Sequence, residues 1–361
     1  MQLKPFRYFL NTAFTLLMVA FSFTAVSGSD DHAEEKEFSP TEMIMHHISD
    51  AHEFHILGEG ESSVTLPLPI ILWTDNGLVS FLSSAFHHND DGTYAVERNG
   101  MKFVKFHEKI YYANDLGRVT LDADQHATNL KPLDFSITKN VFSMFFSVCI
   151  ILLLFISTAK FYKKNGNVAP KGLAAFIEPI ILFVRDDIAI PNIGKHAYQR
   201  FMPFLLTIFF FIWINNLLGL IPFFPGSANL TGNIAFTMVM SVIVLVVVNI
   251  HGNKHYWGHI FWMPGVPALV KIILTPIEIA GIFIKPIALM IRLFANITAG
   301  HIIILSLISL IFIFQSYAIA PVSIAFVLFM NVLELLVAAL QAFIFTMLTA
   351  LFIGSAVEEA H

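Results

Sequence analysis

Residues 201–253 read FMPFLLTIFFFIWINNLLGLIPFFPGSANLTGNIAFTMVMSVIVLVVVNIHGN, a run of 53 residues without one Asp, Glu, Lys or Arg. About 20 apolar residues are enough to cross a bilayer as a helix, so this run has room for two spans. The segment Pro222–Gly226 breaks the run in its middle, and we expect helices over about 201–221 and 233–250. The run therefore predicts a pair of membrane-spanning helices.

The composition of the whole chain agrees with this prediction. The 361 residues are 56% hydrophobic and 13% charged, with a mean hydropathy of +0.70. Soluble domains carry roughly 25% charged residues, so this chain has too little polar surface to be covered by water. The composition excludes an ordinary soluble enzyme, a nucleic-acid binder and a disordered protein. The single cysteine, Cys149, excludes a disulfide framework and any multi-cysteine metal site.

The charge divides the chain into two parts, because residues 1–138 carry a formal charge of −10 and residues 139–361 carry +5. Residues 1–28 have the basic start, apolar middle and small-residue end of a secretory signal peptide, or else form a retained first membrane helix. We favour removal, since the chain turns polar directly afterwards. Residues 29–138 are then expected to form a periplasmic domain.

The predicted periplasmic domain has the pattern of a small β-rich fold. Strand candidates lie at 64–73, 77–86 and 101–112, separated by turns rich in Asn, Asp and Gly. The domain holds nine of the fifteen histidines, including His46, His47, His52 and His55. Closely spaced histidines can bind zinc, but we favour exposed polar side chains instead. We expect no metal and no cofactor.

From residue 139 onward the pattern is that of membrane helices. We expect a first span over 139–161 and, after the pair above, a helical hairpin over 268–314 and 322–353. A helix over 286–314 is about 43 Å long and one over 322–353 about 48 Å, against a hydrocarbon core of about 30 Å, so the hairpin should be strongly tilted. The predicted fold is an all-α polytopic membrane protein with three spans and this tilted hairpin, preceded by the β-rich domain.

Basic residues give the orientation of these helices. Seven Lys and Arg residues lie in the connection at 160–200, which the positive-inside rule assigns to the cytoplasm. The signal peptide independently leads to the same topology. We therefore expect a multi-pass protein of the cell inner membrane with its C-terminus in the cytoplasm.

Few charged residues occur within residues 272–350, and each needs a reason, because a charge in hydrocarbon costs at least about 2.5–3.5 kcal/mol. Glu278, Lys285 and Arg292 are spaced by seven, which returns them to one helical face, and Asn296 joins that face. Small residues surround Arg292, so another helix could approach closely. Arg292 is either a functional buried charge or a side chain that reaches the interface.

The second helix of the hairpin carries Glu334 and Gln341, again seven apart. His301 lies about 180° around the helix from Arg292. A buried His and a buried Glu on adjacent helices are suited to carry a proton, although Glu334 could instead pair with a basic residue to hold helices together. Arg292 cannot release its proton and can act only as a fixed positive charge.

Three stretches of the chain together resemble subunit a of F-type ATP synthases, the stator of a rotary proton channel. Residues 289–301 read LMIRLFANITAGH, residues 333–348 read LELLVAALQAFIFTML, and residues 215–222 read NNLLGLIP. The resemblance covers about 139–361, in the family's order. The signal peptide and the enlarged periplasmic domain depart from the shortest members.

The resemblance implies a role for each candidate residue. Arg292 matches the essential arginine that faces the carboxylate of the c-ring. Glu278 matches, less closely, an acidic residue near the inner half-channel. The positions that match the outer half-channel are Asn296, His301, Glu334 and Gln341.

The resemblance also implies partners and an activity. The chain would translocate protons through two offset half-channels, coupled to ATP synthesis, without itself carrying ATP chemistry. Its partners would be a c-ring of small hairpin subunits, the subunit b peripheral stalk, the F1 sector and the lipid bilayer, with no nucleic acid. A secondary ion transporter is the alternative, and a membrane enzyme is a further one for which no nucleophile or metal constellation is visible.

Overall fold

The structure, a computed structural model, describes residues 44, 48–57, 64–166, 168–222, 224–263, 265–314 and 319–358. In this part of the chain a small β-rich region precedes a helical region, and five helices are long and apolar enough to cross a membrane. The predicted class, an all-α polytopic membrane protein with a small β-rich region before it, is confirmed. The expected signal peptide lies outside the described residues.

The β-rich region is built from short antiparallel strands. The strands are β1 (Glu53–Leu57), β2 (Val64–Pro67), β3 (Pro69–Thr74), β4 (Gly77–Leu82), β5 (Asp91–Arg98), β6 (Met101–Phe106), β7 (Lys109–Tyr112) and β8 (Leu133–Asp134). They form three small sheets with the orders β1-β2, β4-β3-β8 and β5-β6-β7. Asn99 and Gly100 join β5 to β6 with φ of 52° and 73°, as a type I′ hairpin turn requires.

Two of the predicted strand segments are divided in the structure. Residues 64–73 form both β2 and β3, which separate at the buried Leu68. Residues 101–112 form β6 and β7, because His107 and Glu108 adopt positive φ of 47° and 59° and turn the chain. Pro67 and Pro69 flank the first break and are a sequence signal for it, whereas no Gly or Pro marks the turn at His107 and Glu108.

The first membrane helix, α1 (Lys139–Asn165), starts directly from the β-rich region. Thr138 caps it by accepting a hydrogen bond from the amide of Val141 at 3.4 Å. The carboxylate of Asp50 accepts from the amide of Asn140 at 3.1 Å and from the hydroxyl of Thr138 at 2.9 Å. Burial nevertheless raises the pKa of Asp50 above its ordinary value. The strands and the helix are therefore joined by side-chain bonds as well as by the chain.

Two further helices of the membrane region follow after a connecting segment. The connection contains α2 (Leu173–Phe183), a π-helical turn (Val184–Ala189) and α3 (Ile190–Ile193), and the hydroxyl of Tyr162 donates to Glu178 at 2.6 Å there. The two helices are α4 (Tyr198–Gly219) and α5 (Ile234–His251). Asn233 caps α5 by accepting from the amide of Ala235 at 2.9 Å. Between them runs a connection whose part at 224–233 we call the 224–233 loop.

The last two membrane helices are very long. After the short α6 (Lys254–Phe261), α7 runs over Ala268–Phe314 and α8 over Ala320–Val357, with 47 and 38 residues. At 1.5 Å per residue they measure about 70 Å and 57 Å, more than twice and nearly twice the thickness of the hydrocarbon core. Pro276 and Pro286 lie inside α7 without ending it. The tilt of this hairpin in the membrane stays a prediction.

Helix α8 packs into the centre of the helical region, where it contacts α7, α4 and α3. Near its end, Ala350 and Ile353 are completely buried. A β-carbon added at Gly354 would overlap the backbone carbonyl oxygen of Asn192 in the connection before α4. A glycine is therefore required where α8 meets that backbone.

We expect Gly354→Ala to destabilise the protein by about 1–3 kcal/mol, because the added methyl group must displace packed backbone. Gly281→Ala in α7 is the matched control, since a β-carbon there meets nothing within 4 Å. The control should be neutral or stabilising by up to about 1 kcal/mol through helix propensity. Thermal unfolding in detergent measures both, and equal midpoints for the two variants would contradict the packing described.

Candidate functional site

One face of α7 is exposed and carries the polar residues predicted to share it. Arg292 and Asn296 are exposed there together with three alanines, Ala288, Ala295 and Ala299. A neighbouring face packs inward through buried Leu289, Leu293 and Ile297. Within the described part of the chain, no hydrogen bond or ion pair engages Arg292. Arg292 is therefore a cation without a partner among the described residues, and the small residues beside it would let another helix approach closely.

The predicted face of α8 is buried instead. Glu334, Ala338 and Gln341 are 4%, 1% and 2% exposed. Asn216 of α4 donates from Nδ2 to the carbonyl of Ala338 at 3.2 Å, so this face lies against α4. A carboxylate and an amide thus stand inside the helical region, where water does not compensate them as it does at a surface.

His301 and Glu334 meet between α7 and α8. The distance from His301 Nδ1 to Glu334 Oε1 is 3.8 Å, and the two side chains are 20% and 5% exposed. Neither carboxylate oxygen of Glu334 has a hydrogen-bond partner among the described residues. A buried charge needs a compensating partner, and the imidazole lies within ion-pair distance. A protonated imidazole at this position would compensate the charge of the Glu334 carboxylate.

Gly300 makes room for this pair. A β-carbon at Gly300 would collide with the carboxylate of Glu334. The glycine next to His301 therefore lets the Glu334 side chain lie directly against the α7 backbone. Sequence reasoning did not single out Gly300, because its role depends on a side chain 34 positions away.

Further polar groups near this pair were not among the predicted site residues. Asn216 accepts a 2.6 Å hydrogen bond at Oδ1 from Thr231 in the 224–233 loop, and both residues are buried. Its neighbour Asn215 donates to Ser147 of α1 at 2.9 Å. Two adjacent asparagines inside a 53-residue run without charges are the signal that could have identified them.

Glu278 lies at a separate place on α7, 14 residues before Arg292, or about 21 Å along the helix. Its side chain is half-buried, and it faces Tyr256 of α6: burial raises the pKa of Tyr256, and the negative charge of Glu278 raises it further. One helical turn or two beyond, a cavity of about 20 Å³ is lined partly by Asn249, Tyr256 and Lys285. Such a volume holds about one water molecule.

The candidate residues therefore form three groups rather than one cluster. Arg292 and Asn296 face outward, whereas His301 and Glu334 face inward about 13 Å farther along α7. Gln341 is buried on the Glu334 face of α8, and Glu278 lies toward the other end of α7. This separation along and around α7 can keep two proton paths apart with a fixed cation between them.

The histidines considered as zinc ligands follow a different arrangement. His46 and His47 lie outside the described residues, and His55 is exposed. The expectation of an exposed side chain is wrong for His52, which is 2% exposed and approaches Asp134 at 3.3 Å. Burial acts to raise the pKa of Asp134, but the hydrogen bonds from His52 and Ser136 outweigh it and hold that pKa below its ordinary value.

His52 also belongs to a buried charge network, because its backbone amide donates to the carboxylate of Glu108 at 3.4 Å. Lys105, 2% exposed, lies 3.6 Å from Glu108 and 3.8 Å from both Glu53 and Asp90. Its ammonium group occupies the space between these carboxylates. Among the residues that the structure describes, no group of three or more His, Cys, Asp or Glu side chains could hold a metal ion.

Comparison with known sequences places this geometry in a family. The profile of the family described as "ATP synthase A chain" matches residues 141–354. That segment includes every candidate residue on α7 and α8. A second profile, described as a domain of unknown function (DUF8433), matches residues 43–135 and thus the β-rich region.

Individual relatives agree with the profile. The chain is 49% identical over 240 residues to "ATP synthase subunit a" of Chloroherpeton thalassium, which covers 63% of this chain and 70% of that protein. It is 48% identical over 234 residues to "ATP synthase subunit a 2" of Chlorobaculum tepidum, covering 63% and 65%. The corresponding protein of Myxococcus xanthus is 41% identical over 235 residues, covering 63% and 75%. The chain belongs to the ATP synthase A chain family.

Proposed function

We propose that this chain is the subunit of an F-type ATP synthase that conducts protons to and from a rotating ring of c subunits. The observation that carries the proposal is the exposed Arg292, without a partner in the described chain, on a small-residue face of a membrane helix. The buried His301–Glu334 pair lies on the other side of that helix. A transporter with one central binding site would instead gather its polar groups at one place.

Arg292 acts as a fixed positive charge in this mechanism. A carboxylate on a ring subunit must be neutral while it faces lipid, because an ionised carboxylate is costly in an apolar medium. Beside Arg292 it can release its proton, because an adjacent cation favours the ionised form. The guanidinium cannot itself pass a proton on. A proton therefore cannot cross directly and has to travel with the ring.

The outer path leads through the His301–Glu334 pair. Glu334 is buried, His301 lies beside Gly219 and the 224–233 loop, and Gln341 continues the buried polar face of α8. Titratable and amide groups in this order can hand a proton toward the exposed face of α7, where Asn296 lies beside Arg292. We assign the outer half-channel to these residues.

The inner path begins near Glu278. Its carboxylate lies in the part of α7 that packs against α6, near Tyr256, about 21 Å from Arg292. Because Glu278 and the His301–Glu334 pair lie on opposite sides of Arg292 along α7, the two paths are offset. One charge crossing 100 mV releases about 2.3 kcal/mol, so several protons are needed for each ATP.

The assembly follows from membership of the F-type complex, which includes a c-ring and further subunits. We propose that the exposed Arg292 face contacts the c-ring and that subunit b and the F1 sector complete the stator. We also propose the inner membrane as its location, with the β-rich region in the periplasm and the end of α8 in the cytoplasm. The basic residues between α1 and α4 support this orientation.

Replacement of Arg292 tests the central proposal. We expect Arg292→Ala to reduce ATP-driven proton pumping in inverted membrane vesicles to background, because the barrier between the paths is lost. Arg292→Lys should fail as well, since an ammonium is more strongly hydrated and can lose its proton. Arg118→Ala, which removes an exposed arginine of the β-rich region, is the control and should pump normally. Normal pumping by an assembled Arg292→Ala complex would refute the mechanism.

A second prediction concerns the His301–Glu334 pair. We expect Gly300→Ala to slow proton pumping several-fold, because the new methyl group forces the Glu334 carboxylate away from His301. Gly281→Ala on the same helix is the matched control, since its added carbon meets nothing. Pumping rates in the same vesicles measure both variants.

The exchange of the two side chains extends this test. His301→Glu combined with Glu334→His should recover much of the activity that either single exchange loses, because the acid and the imidazole again face each other. Normal rates for His301→Ala and Glu334→Ala would mean that these residues only pack the hairpin.

A third prediction concerns orientation. In a Cys149→Ser background, Leu116→Cys introduces a thiol at a position that is 84% exposed in the β-rich region. An impermeant thiol reagent should label it from outside intact spheroplasts. Lys163→Cys, near the end of α1, is the control and should be labelled only in inverted vesicles. The reverse pattern would overturn the proposed topology.

A further inference from the structure

The β-rich region, which matches the profile of a domain of unknown function, is bonded to the first membrane helix. The amide of Lys139 donates to the carbonyl of Ala51 at 2.9 Å, next to the two bonds that Asp50 accepts at the start of α1. The chain on both sides of the strands is thereby held at one place. A region bonded to α1 in this way can hold in place the segments that pack against it.

Three phenylalanine rings join this region to the 224–233 loop. Phe54 of β1 is 1% exposed and meets Phe142 of α1 and Phe224 of the loop edge-to-face, with ring centroids 5.4 Å and 5.3 Å away. Phe142 and Phe224 also contact each other at 5.6 Å. Such ring pairs are stabilising beyond the area that they bury. One strand, one membrane helix and one loop therefore share a single aromatic cluster.

The far side of the 224–233 loop is bonded to the candidate outer path. Thr231 donates to Asn216 at 2.6 Å, and the hydroxyl of Thr298 on α7 donates to the carbonyl of Gly232 at 3.4 Å. Ala228, Leu230 and Thr231 are almost fully buried. The loop is thus packed between the aromatic cluster and helices α4 and α7.

Gly219 shows how close the loop comes to His301. A β-carbon at Gly219 would lie 3.3 Å from the carbonyl oxygen of Ala228 and 3.8 Å from His301 Nε2. The loop backbone and the imidazole therefore flank the same glycine at the end of α4. A shift of the loop would change the surroundings of His301 directly.

We propose that the β-rich region serves to hold the 224–233 loop at the mouth of the outer proton path. Phe54 and Phe224 are positioning residues in this arrangement, and they act on His301 through the loop. The inference rests on the proposed function and adds to it a role for the region before α1. We call the contact among Phe54, Phe142 and Phe224 the clamp. Without the clamp, the loop would move and proton transfer at His301 would be slowed.

The test uses the complete ATP synthase in inverted membrane vesicles and in detergent. Phe54→Ala and Phe224→Ala should increase amide hydrogen exchange in the 224–233 loop on the order of tenfold, because the ring contacts are lost. Both variants should lower the rate of ATP-driven proton pumping several-fold and shift its dependence on luminal pH. Phe54→Leu, which keeps an apolar side chain at this position, should restore most of the rate.

Two comparisons separate a positioning role from a loss of fold. Phe224 is 38% exposed, so Phe224→Ala removes the contact without leaving a cavity in the β-rich core. Phe135→Ala deletes a 64% exposed ring of the same region and should change neither loop exchange nor pumping. An effect of Phe135→Ala equal to that of Phe224→Ala would overturn the clamp.

The outcomes also separate this inference from the proposed function. Unchanged loop exchange, or a normal pumping rate with an unshifted pH profile, in assembled Phe224→Ala complexes would refute the clamp while leaving the role of Arg292 intact. Normal pumping by Arg292→Ala would instead refute the proton mechanism itself. The clamp is supported when loop exchange rises and the pH profile shifts only in the Phe54 and Phe224 variants.

Discussion

The membrane region depends on the close packing of α8 against α7, α4 and the backbone before α4. Inside a bilayer, apolar side chains gain little by leaving lipid for protein, so close packing and internal hydrogen bonds have to hold the helices together. Small residues supply the first: Gly300 admits the side chain of Glu334, and Gly354 admits the backbone at Asn192. Asn216 supplies the second, because it bonds the backbone of α8 and the 224–233 loop at once.

This packing also determines which charged side chains are exposed and which are buried. Helix α7 turns Leu293 inward and Arg292 outward, so the cation faces away from the helices around it. Glu334 is turned inward on α8 and meets His301. An exposed fixed cation and a buried acid–imidazole pair therefore occupy different sides of one hairpin. Their separation is what a rotary mechanism with two offset paths requires, and it follows from helix geometry together with the choice of buried face.

The β-rich region differs from the membrane helices, because it is acidic and most of its charged side chains are exposed to water. It nevertheless buries Lys105 among three carboxylates, which fixes the relative positions of β1, β6 and the turns between strands. Phe54 extends from this rigid unit into the aromatic cluster at α1. The strands and the membrane helices thus meet through an aromatic contact and through hydrogen bonds at the start of α1, and not only through the connecting chain.

The sequence by itself determined the class of the protein, because apolar runs of about 20 or more residues without charge are typical of membrane-spanning helices. The spacing of seven also predicted that Glu278, Lys285 and Arg292 share one helical face. The sequence also indicated the family through three motifs. Local patterns could not show that residues 101–112 turn at His107, that His52 is buried, or that Gly300 makes room for Glu334. Only the tertiary structure decided these features, because each depends on contacts between residues distant in the chain or on backbone angles that no nearby residue type dictates.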